Sequence, residues 1–121
     1  MRVAHLSLGD FRNYRSAELE LRQGANLIVG KNGQGKTNVI ESIYLCSKGN
    51  SFRTNRDNEI INFDKENAYI GCEVNINNYN RFIEIKLNRN SPKIIRINKT
   101  PLKNFKELNS GLNIVVFSPE D

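Results

Sequence analysis

A glycine-rich stretch near the amino end has the residue types and spacing of a phosphate-binding loop. Residues 30–37 read Gly-Lys-Asn-Gly-Gln-Gly-Lys-Thr and fill the pattern G-x-x-x-x-G-K-[ST]. Glycines let the backbone turn so that several N–H groups come close to phosphate oxygens. Lys36 supplies an ammonium for the β- and γ-phosphates, and the Thr37 hydroxyl is a hard oxygen ligand that suits Mg²⁺. The spacing therefore predicts a site for a nucleoside triphosphate such as ATP, together with Mg²⁺.

The residues on either side of this loop favour the same interpretation. The apolar run 26–29 before it is typical of a buried strand, and the residues after it have helical spacing with Gly49 as the stop. A helix that starts at the loop points its positive end at the phosphates, which a chance glycine-rich turn does not do. The apolar helix positions are Val39, Ile40, Ile43, Tyr44 and Cys46, with Glu41, Ser42 and Lys48 on the polar remainder. The residues predicted to surround the phosphates are Gly30, Lys31, Asn32, Gly33, Gln34, Gly35, Lys36, Thr37 and Asn38.

Length and composition limit the class of protein. The chain has 121 residues and a net charge of +5, and no apolar stretch is long enough to cross a membrane, which predicts a soluble, cytoplasmic protein. Cys46 and Cys72 lie in apolar patterns and are interpreted as reduced core thiols. His5 is the single histidine, which excludes a metal site built on imidazoles.

The carboxyl end lacks a part that ATP hydrolysis requires. After the apolar run 114–117, the chain closes with Ser-Pro-Glu-Asp, and no later strand ends in the acidic residue that holds Mg²⁺ and orients water. We therefore expect the N-terminal part of a longer ATPase, one that binds nucleotide without efficient hydrolysis by itself. Whether this part is an enzyme stays open.

Basic residues are concentrated in the last third of the chain. Residues 81–106 contain eight lysines and arginines and the single acid Glu84. This charge suits a polyanion such as DNA, although a solvated strand face protected by lysines fits equally well. The candidate DNA contacts are Lys86, Lys93, Arg96 and Lys99.

The hydrophobic pattern predicts an α/β fold rich in strands. Two alternating segments, Val3 to Phe11 and Ser16 to Leu21, predict an antiparallel hairpin before the phosphate loop. Residues 1–50 form the phosphate-loop core, residues 51–67 a loop, residues 68–100 an antiparallel meander of three strands, and residues 101–121 a short helix and a strand. The helix is indicated by Leu102, Phe105 and Leu108.

Several stretches resemble the ABC-type ATPases of the SMC-like and RecF-like family, and most closely its RecF-like members. The resemblance runs through the whole chain and is specific near the phosphate loop. The stretches that carry it are Gly30-x-Asn32-Gly33-x-Gly35-Lys36-Thr37-Asn38, Leu8-x-x-Phe11-Arg12-Asn13-Tyr14, Glu41-Ser42-Ile43-Tyr44, Ser51-Phe52-Arg53-Thr54 and Val116-Phe117-Ser118-Pro119-Glu120-Asp121.

The resemblance implies part of an ATPase head: a mixed sheet with the phosphate loop and one main helix, flanked by an antiparallel β-meander. It implies an ATP-dependent homodimer that binds DNA and acts with other recombination mediators at gapped, single-stranded DNA in repair, replication and the SOS response. It also implies that Arg12 and Asn13 approach the nucleotide phosphates. Arg53 matches a family residue near the nucleotide, with a solvated surface charge as the alternative.

Other interpretations remain at this stage. The chain could be a nucleic-acid-binding module in which the phosphate loop is only structural, or an SMC-like head of another family. A small-molecule kinase is disfavoured because such kinases usually place a helical lid, and not a β-meander, after the loop helix.

Overall fold

A six-stranded sheet and one long helix make up the described part of the chain. The computed structural model describes residues 2–20, 33–76 and 79–104. The secondary structure, in chain order, is β1 (Arg2–Phe11), β2 (Tyr14–Glu20), α1 (Gly33–Lys48), a 3₁₀ turn (Asp57–Glu59), β3 (Asn67–Ile76), β4 (Tyr79–Asn88), β5 (Ser91–Ile97) and β6 (Thr100–Pro101).

The strands lie in the order β2-β1-β3-β4-β5-β6, and each neighbouring pair is antiparallel. The β1–β2 hairpin pairs Phe11 with Tyr14, so its turn consists of Arg12 and Asn13 alone. β3, β4 and β5 follow one another as a meander, as the alternating pattern predicts. The insertion of β1 beside β3 brings the first turn of the chain next to the segment that follows α1, where Phe11 forms an isolated bridge with Ile61.

One face of the sheet forms the core. Because side chains alternate along a strand, every second residue of β1, β3, β4 and β5 points to the side that α1 covers. The buried apolar residues of the described chain are Leu6, Leu8, Phe11, Ile43, Leu45, Cys46, Ile60, Ile61, Ala68, Ile70, Cys72, Val74, Ile83, Ile85, Leu87 and Ile95.

Two thiols meet inside this core. Cys46 of α1 and Cys72 of β3 are both free and buried. Burial, followed by the interaction with Cys72, raises the pKa of Cys46 well above its ordinary value. The two cysteines are therefore core thiols, as their apolar positions indicate.

Backbone hydrogen bonds determine where α1 ends and how the chain continues after β6. α1 ends before Gly49, whose φ of 85° suits glycine and whose amide donates to the Leu45 carbonyl at 2.8 Å. Leu102, which the apolar spacing places in a helix, instead follows β6, and its amide donates to the Ile95 carbonyl at 2.8 Å. Residues 103 and 104, which the same prediction places in the helix, are not helical either, and the predicted helix from residue 105 onward and the predicted strands at 26–29 and 112–117 lie outside the described residues.

The opposite face of the sheet buries an acid. Glu84 is 4% exposed and accepts a hydrogen bond from the Tyr69 hydroxyl at 2.7 Å. The Tyr69 ring crosses Gly71, where an added Cβ would lie 2.7 Å from the hydroxyl oxygen. Burial opposes ionisation of Glu84, but the Tyr69 hydrogen bond and the positive charge of Arg96 outweigh it and lower its pKa. Burial and this hydrogen bond in turn raise the pKa of Tyr69.

The same face holds His5 between two carboxylates of β2. Its Nδ1 lies 2.6 Å from Glu20 Oε1, and its Nε2 lies 2.7 Å from Glu18 Oε1. Ionised carboxylates only accept hydrogen bonds, so His5 donates to both of them only when both ring nitrogens carry protons. The hydrogen bond to Glu18 is the main cause of a raised His5 pKa, which partial burial opposes.

We expect the pKa of His5 to lie above its ordinary value of 6.5. The group is the only histidine, so its titration by NMR is unambiguous. Because the pKa of His5 is higher in the folded than in the unfolded state, protonated His5 stabilises the fold. This contribution is complete below the unfolded-state pKa and is lost as pH rises through the folded-state pKa. Glu18→Gln should lower the pKa, whereas Glu73→Gln, opposite His5 on β3, should change it less. Equal effects of both variants would contradict this account.

Candidate functional site

A buried carboxylate on α1 lies at the centre of the polar cluster beside the phosphate-binding motif. Glu41 is completely buried, and Arg12 from the β1–β2 turn binds it with two parallel hydrogen bonds. Arg12 Nε lies 2.6 Å from Oε1, and Nη2 lies 2.8 Å from Oε2. This bidentate geometry fixes both position and orientation of the guanidinium. The hydrogen bond to Glu41 raises the pKa of Arg12, although burial opposes it.

The backbone of Arg12 is fixed as firmly as its side chain. Its φ of 49° lies in the left-handed region, which a two-residue turn requires and most side chains avoid. The amide donates to the Ile60 carbonyl at 2.6 Å, and Nη1 contacts the Glu59 carbonyl at 3.4 Å. Arg12 is therefore held by the helix on one side and by the segment around the 3₁₀ turn on the other.

The loop after α1 adds a hydroxyl and a second guanidinium. Ser51 Oγ donates to Glu41 Oε2 at 2.5 Å and accepts the amides of Arg53 at 2.9 Å and Thr54 at 3.3 Å. Arg53 Nη1 lies 3.2 Å from Glu41 Oε1 and 2.6 Å from Asn38 Oδ1. One turn of loop is thus folded around the carboxylate.

Two asparagines complete the cluster. Asn38 lies on α1 one turn before Glu41, is 1% exposed, and donates from Nδ2 to Asn13 Oδ1 at 2.9 Å. With Arg53 on its oxygen and Asn13 on its amide, the Asn38 side chain joins the first turn of the chain to the loop after α1. Asn38 therefore acts in this structure by positioning its neighbours.

The cluster forms one side of an open cavity of about 700 Å³. The Glu41 carboxylate is inaccessible, whereas the side chains of Arg12 and Arg53 are 20% and 29% exposed. A ligand entering the cavity meets two cations whose counter-charge is hidden behind them, which favours an anionic ligand. The cavity is lined by Arg12, Asn13, Asn38, Arg53, Asn58, Glu59, Ile61, Asn62, Phe63 and Arg89.

The carboxyl half of the phosphate-binding motif lies in the helix that carries Glu41. α1 begins at Gly33, so Gly35, Lys36 and Thr37 fall in its first turns. The first turn contains no acidic residue that would compete for an anion. Gly30, Lys31 and Asn32 lie outside the described residues, as do the side chains of residues 33–36.

The four candidate DNA contacts do not share one surface. Lys86, Arg96 and Lys99 lie on the face of the sheet opposite α1. On this face, Arg96 Nη2 lies 3.0 Å and Lys99 Nζ lies 3.7 Å from Glu84 Oε1. Lys99 also lies 5.0 Å above the Phe82 ring. Lys93 has the opposite strand parity and pairs with Asp57 at 3.1 Å. Among the four, Lys86 is an exposed residue in the middle of a strand.

The residue pattern does not reveal the acid that organises the site. The helical pattern placed Glu41 and Ser42 on the polar remainder of the helix, but both are fully buried. Glu41 is covered by Arg12 of the β1–β2 turn and by Ser51 and Arg53 of the loop after α1. One signal was available. Asn38 and Glu41 are three residues apart, so they lie on the same face of the helix and can bind shared polar partners. Arg89 gave no such signal, because its guanidinium donates to the backbone carbonyls of Asn58, Ile61, Asn62 and Lys65, which residue type does not reveal.

No helix in the described ranges is both long enough and apolar enough to cross a membrane. This finding concerns residues 2–20, 33–76 and 79–104 only.

The chain is similar to proteins named DNA replication and repair protein RecF. It is 50% identical over 121 residues to the protein of Clostridioides difficile (strain 630), and 47% identical to that of Alkaliphilus oremlandii (strain OhILAs). All of this chain is matched, whereas only 32% and 33% of those relatives is covered. The chain thus spans about a third of the length of these relatives.

Solved structures agree with this similarity. A structure of the recombination mediator protein RecF-ATP in the RecFOR pathway matches with a TM-score of 0.87 and 37% identity, over 98% of this chain and 33% of that one. A structure described under ATP-driven dimerization of SMC ATPases matches with a TM-score of 0.75, over 90% of this chain and 76% of that one. At 20% identity, this second likeness concerns the fold alone.

These likenesses confirm the predicted fold class, a mixed sheet with one main helix and an antiparallel meander, as in the N-terminal portion of a RecF or SMC ATPase head. The model of the RecF/RecN/SMC N terminal domain matches residues 2–120. The chain therefore belongs to the RecF/RecN/SMC N-terminal domain family.

Proposed function

We propose that this chain is the ATP-binding part of a recombination-mediator ATPase that acts on DNA during repair and replication. The observation that carries the proposal is the cluster around Glu41, because it places Arg12 and Arg53 beside the helix that begins inside the phosphate-binding motif. The names of the relatives, which include a RecF-ATP structure, support the same function.

Each residue has a separate task in this proposal. The glycines of residues 30–35 let backbone amides surround the phosphates, and Lys36 neutralises charge on the terminal ones. The Thr37 hydroxyl would hold Mg²⁺, which would supply positive charge to the phosphates. Arg12 and Asn13 would approach the phosphates from the β1–β2 turn, and Arg53 would approach them from the loop after α1.

ATP hydrolysis and dimer assembly require more than the residues of this site. Transfer of the terminal phosphoryl group to water depends on positioning and on charge neutralisation, and it needs an acidic residue that orients water. We propose that nucleotide binding here serves an ATP-dependent homodimer, and that this dimer works with DNA and with other recombination mediators. The support for both is family membership.

The first test concerns Lys36. Wild-type protein should bind a fluorescently labelled ATP with Mg²⁺, and Lys36→Ala should weaken binding at least about tenfold, because the ammonium is lost where phosphate charge is densest. Lys48→Ala is the matched control, since Lys48 is exposed at the other end of the same helix. Equal titration curves for wild type and Lys36→Ala would refute the nucleotide site.

The second test concerns Glu41. Glu41→Gln keeps the shape of the side chain but leaves two guanidinium groups facing a neutral partner. We expect the free energy of unfolding to fall by about 2 kcal/mol, less than for a fully buried pair because both arginines are partly exposed. Nucleotide affinity should fall as well, since Arg12 and Arg53 lose their fixed positions.

Denaturant unfolding measures the stability change, and labelled ATP measures the affinity. Glu59→Gln is the control: the Glu59 side chain is exposed and accepts a hydrogen bond from the Thr54 hydroxyl, so its substitution should lower the free energy of unfolding by less than about 0.5 kcal/mol. If Glu41→Gln and Glu59→Gln unfold at the same denaturant concentration, the Glu41 carboxylate does not organise the site.

DNA contact by the outer face of the meander gives the third test. A lysine that touches one phosphate adds about one unit to the salt dependence of binding. Lys86→Gln should therefore weaken DNA binding and reduce the slope of log affinity against log salt by about one, while Lys48→Gln leaves it unchanged. If joint neutralisation of Lys86, Lys93, Arg96 and Lys99 changes neither affinity nor slope, the meander does not bind DNA.

A further inference from the structure

The turn between β4 and β5 is hydrogen bonded to a loop that forms part of the cavity wall. We call residues 57–66 the wall loop; it begins with the 3₁₀ turn and ends where β3 begins. The side chain of Arg89, in the β4–β5 turn, spans this loop and donates hydrogen bonds to its backbone. Nε binds the carbonyl of Lys65 at 2.6 Å, Nη1 that of Asn58 at 3.2 Å, and Nη2 those of Asn62 at 3.3 Å and Ile61 at 3.4 Å.

Both ends of the wall loop are attached to the same hairpin. The Arg89 amide donates to the Glu66 carbonyl at 3.0 Å, next to the start of β3. At the other end, Lys93 Nζ of β5 pairs with Asp57 Oδ2 at 3.1 Å. The β4–β5 hairpin therefore fixes the loop at its start, in its middle and at its end.

The wall loop in turn holds the backbone that carries Arg12. The Ile60 carbonyl accepts the Arg12 amide at 2.6 Å, and the Asn62 amide donates to the Asp10 carbonyl at 2.8 Å. Asp10 and Arg12 have φ values of 47° and 49°, so this turn needs external hydrogen bonds to keep its conformation. A displacement of the wall loop would move the acceptor of the Arg12 amide.

We propose that Arg89 is a positioning residue of the nucleotide site: it fixes the wall loop, and through that loop it fixes Arg12. This role rests on the proposed function. Arg89 does not serve as a phosphate ligand, because four of the five N–H donors of its guanidinium already bind carbonyl oxygens. The planar fork of arginine reaches several carbonyls at once, whereas the single ammonium of lysine cannot span the loop.

The experiment compares Arg89→Lys with Arg15→Lys in the purified protein. Arg15 is an exposed residue of β2, so its variant makes the same chemical change away from the wall loop. One readout is affinity for labelled ATP with Mg²⁺. The other is amide hydrogen exchange of Arg12 and Asn62, with Ile70 and Ile85 of the β3–β4 pair as internal references for global stability.

Arg89→Lys should weaken nucleotide binding about tenfold and accelerate exchange at Arg12 and Asn62 about tenfold relative to Ile70 and Ile85. Arg15→Lys should leave both readouts at their wild-type values. A residue that only stabilises the fold would instead accelerate all four amides together. Lys93→Gln, which releases the other end of the wall loop more gently, should shift both readouts in the same direction by about threefold.

Three results would overturn the proposal. They are exchange in Arg89→Lys equal to that in Arg15→Lys, uniform acceleration of the four amides, and faster exchange at Arg12 with unchanged affinity for ATP. A wild-type protein that does not bind labelled ATP would refute the proposed function first. That result is distinguishable, because in the three others the wild type binds nucleotide and only the role of Arg89 fails.

Discussion

A carboxylate removed from water must be compensated, and the burial of Glu41 determines how the polar end of this fold is arranged. Ionised carboxylates are stable inside proteins only when they are paired and hydrogen bonded. The Glu41 carboxylate is compensated by two guanidiniums and a hydroxyl, which Arg12, Arg53 and Ser51 supply. This one requirement fixes the β1–β2 turn and the loop after α1 against the helix.

Packing and electrostatics are complementary in this arrangement. The apolar face of the sheet holds α1 in place, which fixes Glu41 and Asn38 relative to the β1–β2 turn. The interaction of Glu41 with two arginines then leaves positive charge at the cavity and hides the negative charge. A site for a polyphosphate can in this way be positively charged without placing two unpaired arginines side by side, which would repel one another.

The sequence predicted those parts of the fold in which periodicity reports burial. Alternation located β1 to β5, helical spacing and Gly49 located α1, and the turn residues located the meander. Arg12, Asn13 and Asn38 were named from their motifs, and the structure brings them together. Glu41 was misjudged because a helix face that looks polar is covered by segments whose approach depends on tertiary structure. Arg89 acts on backbone carbonyls, and no residue pattern marks these. Leu102 was placed in a helix because its apolar spacing did not show that its amide extends a sheet.

The pair of thiols between α1 and the sheet gives the protein a built-in chemical indicator. The thiolate is the reactive form of cysteine, and burial with a raised pKa suppresses it in Cys46. An alkylating reagent can therefore modify Cys46 only in molecules where the helix has separated from β3. The rate of alkylation therefore reports how often α1, which carries Glu41, separates from β3, and the measurement requires no engineered probe.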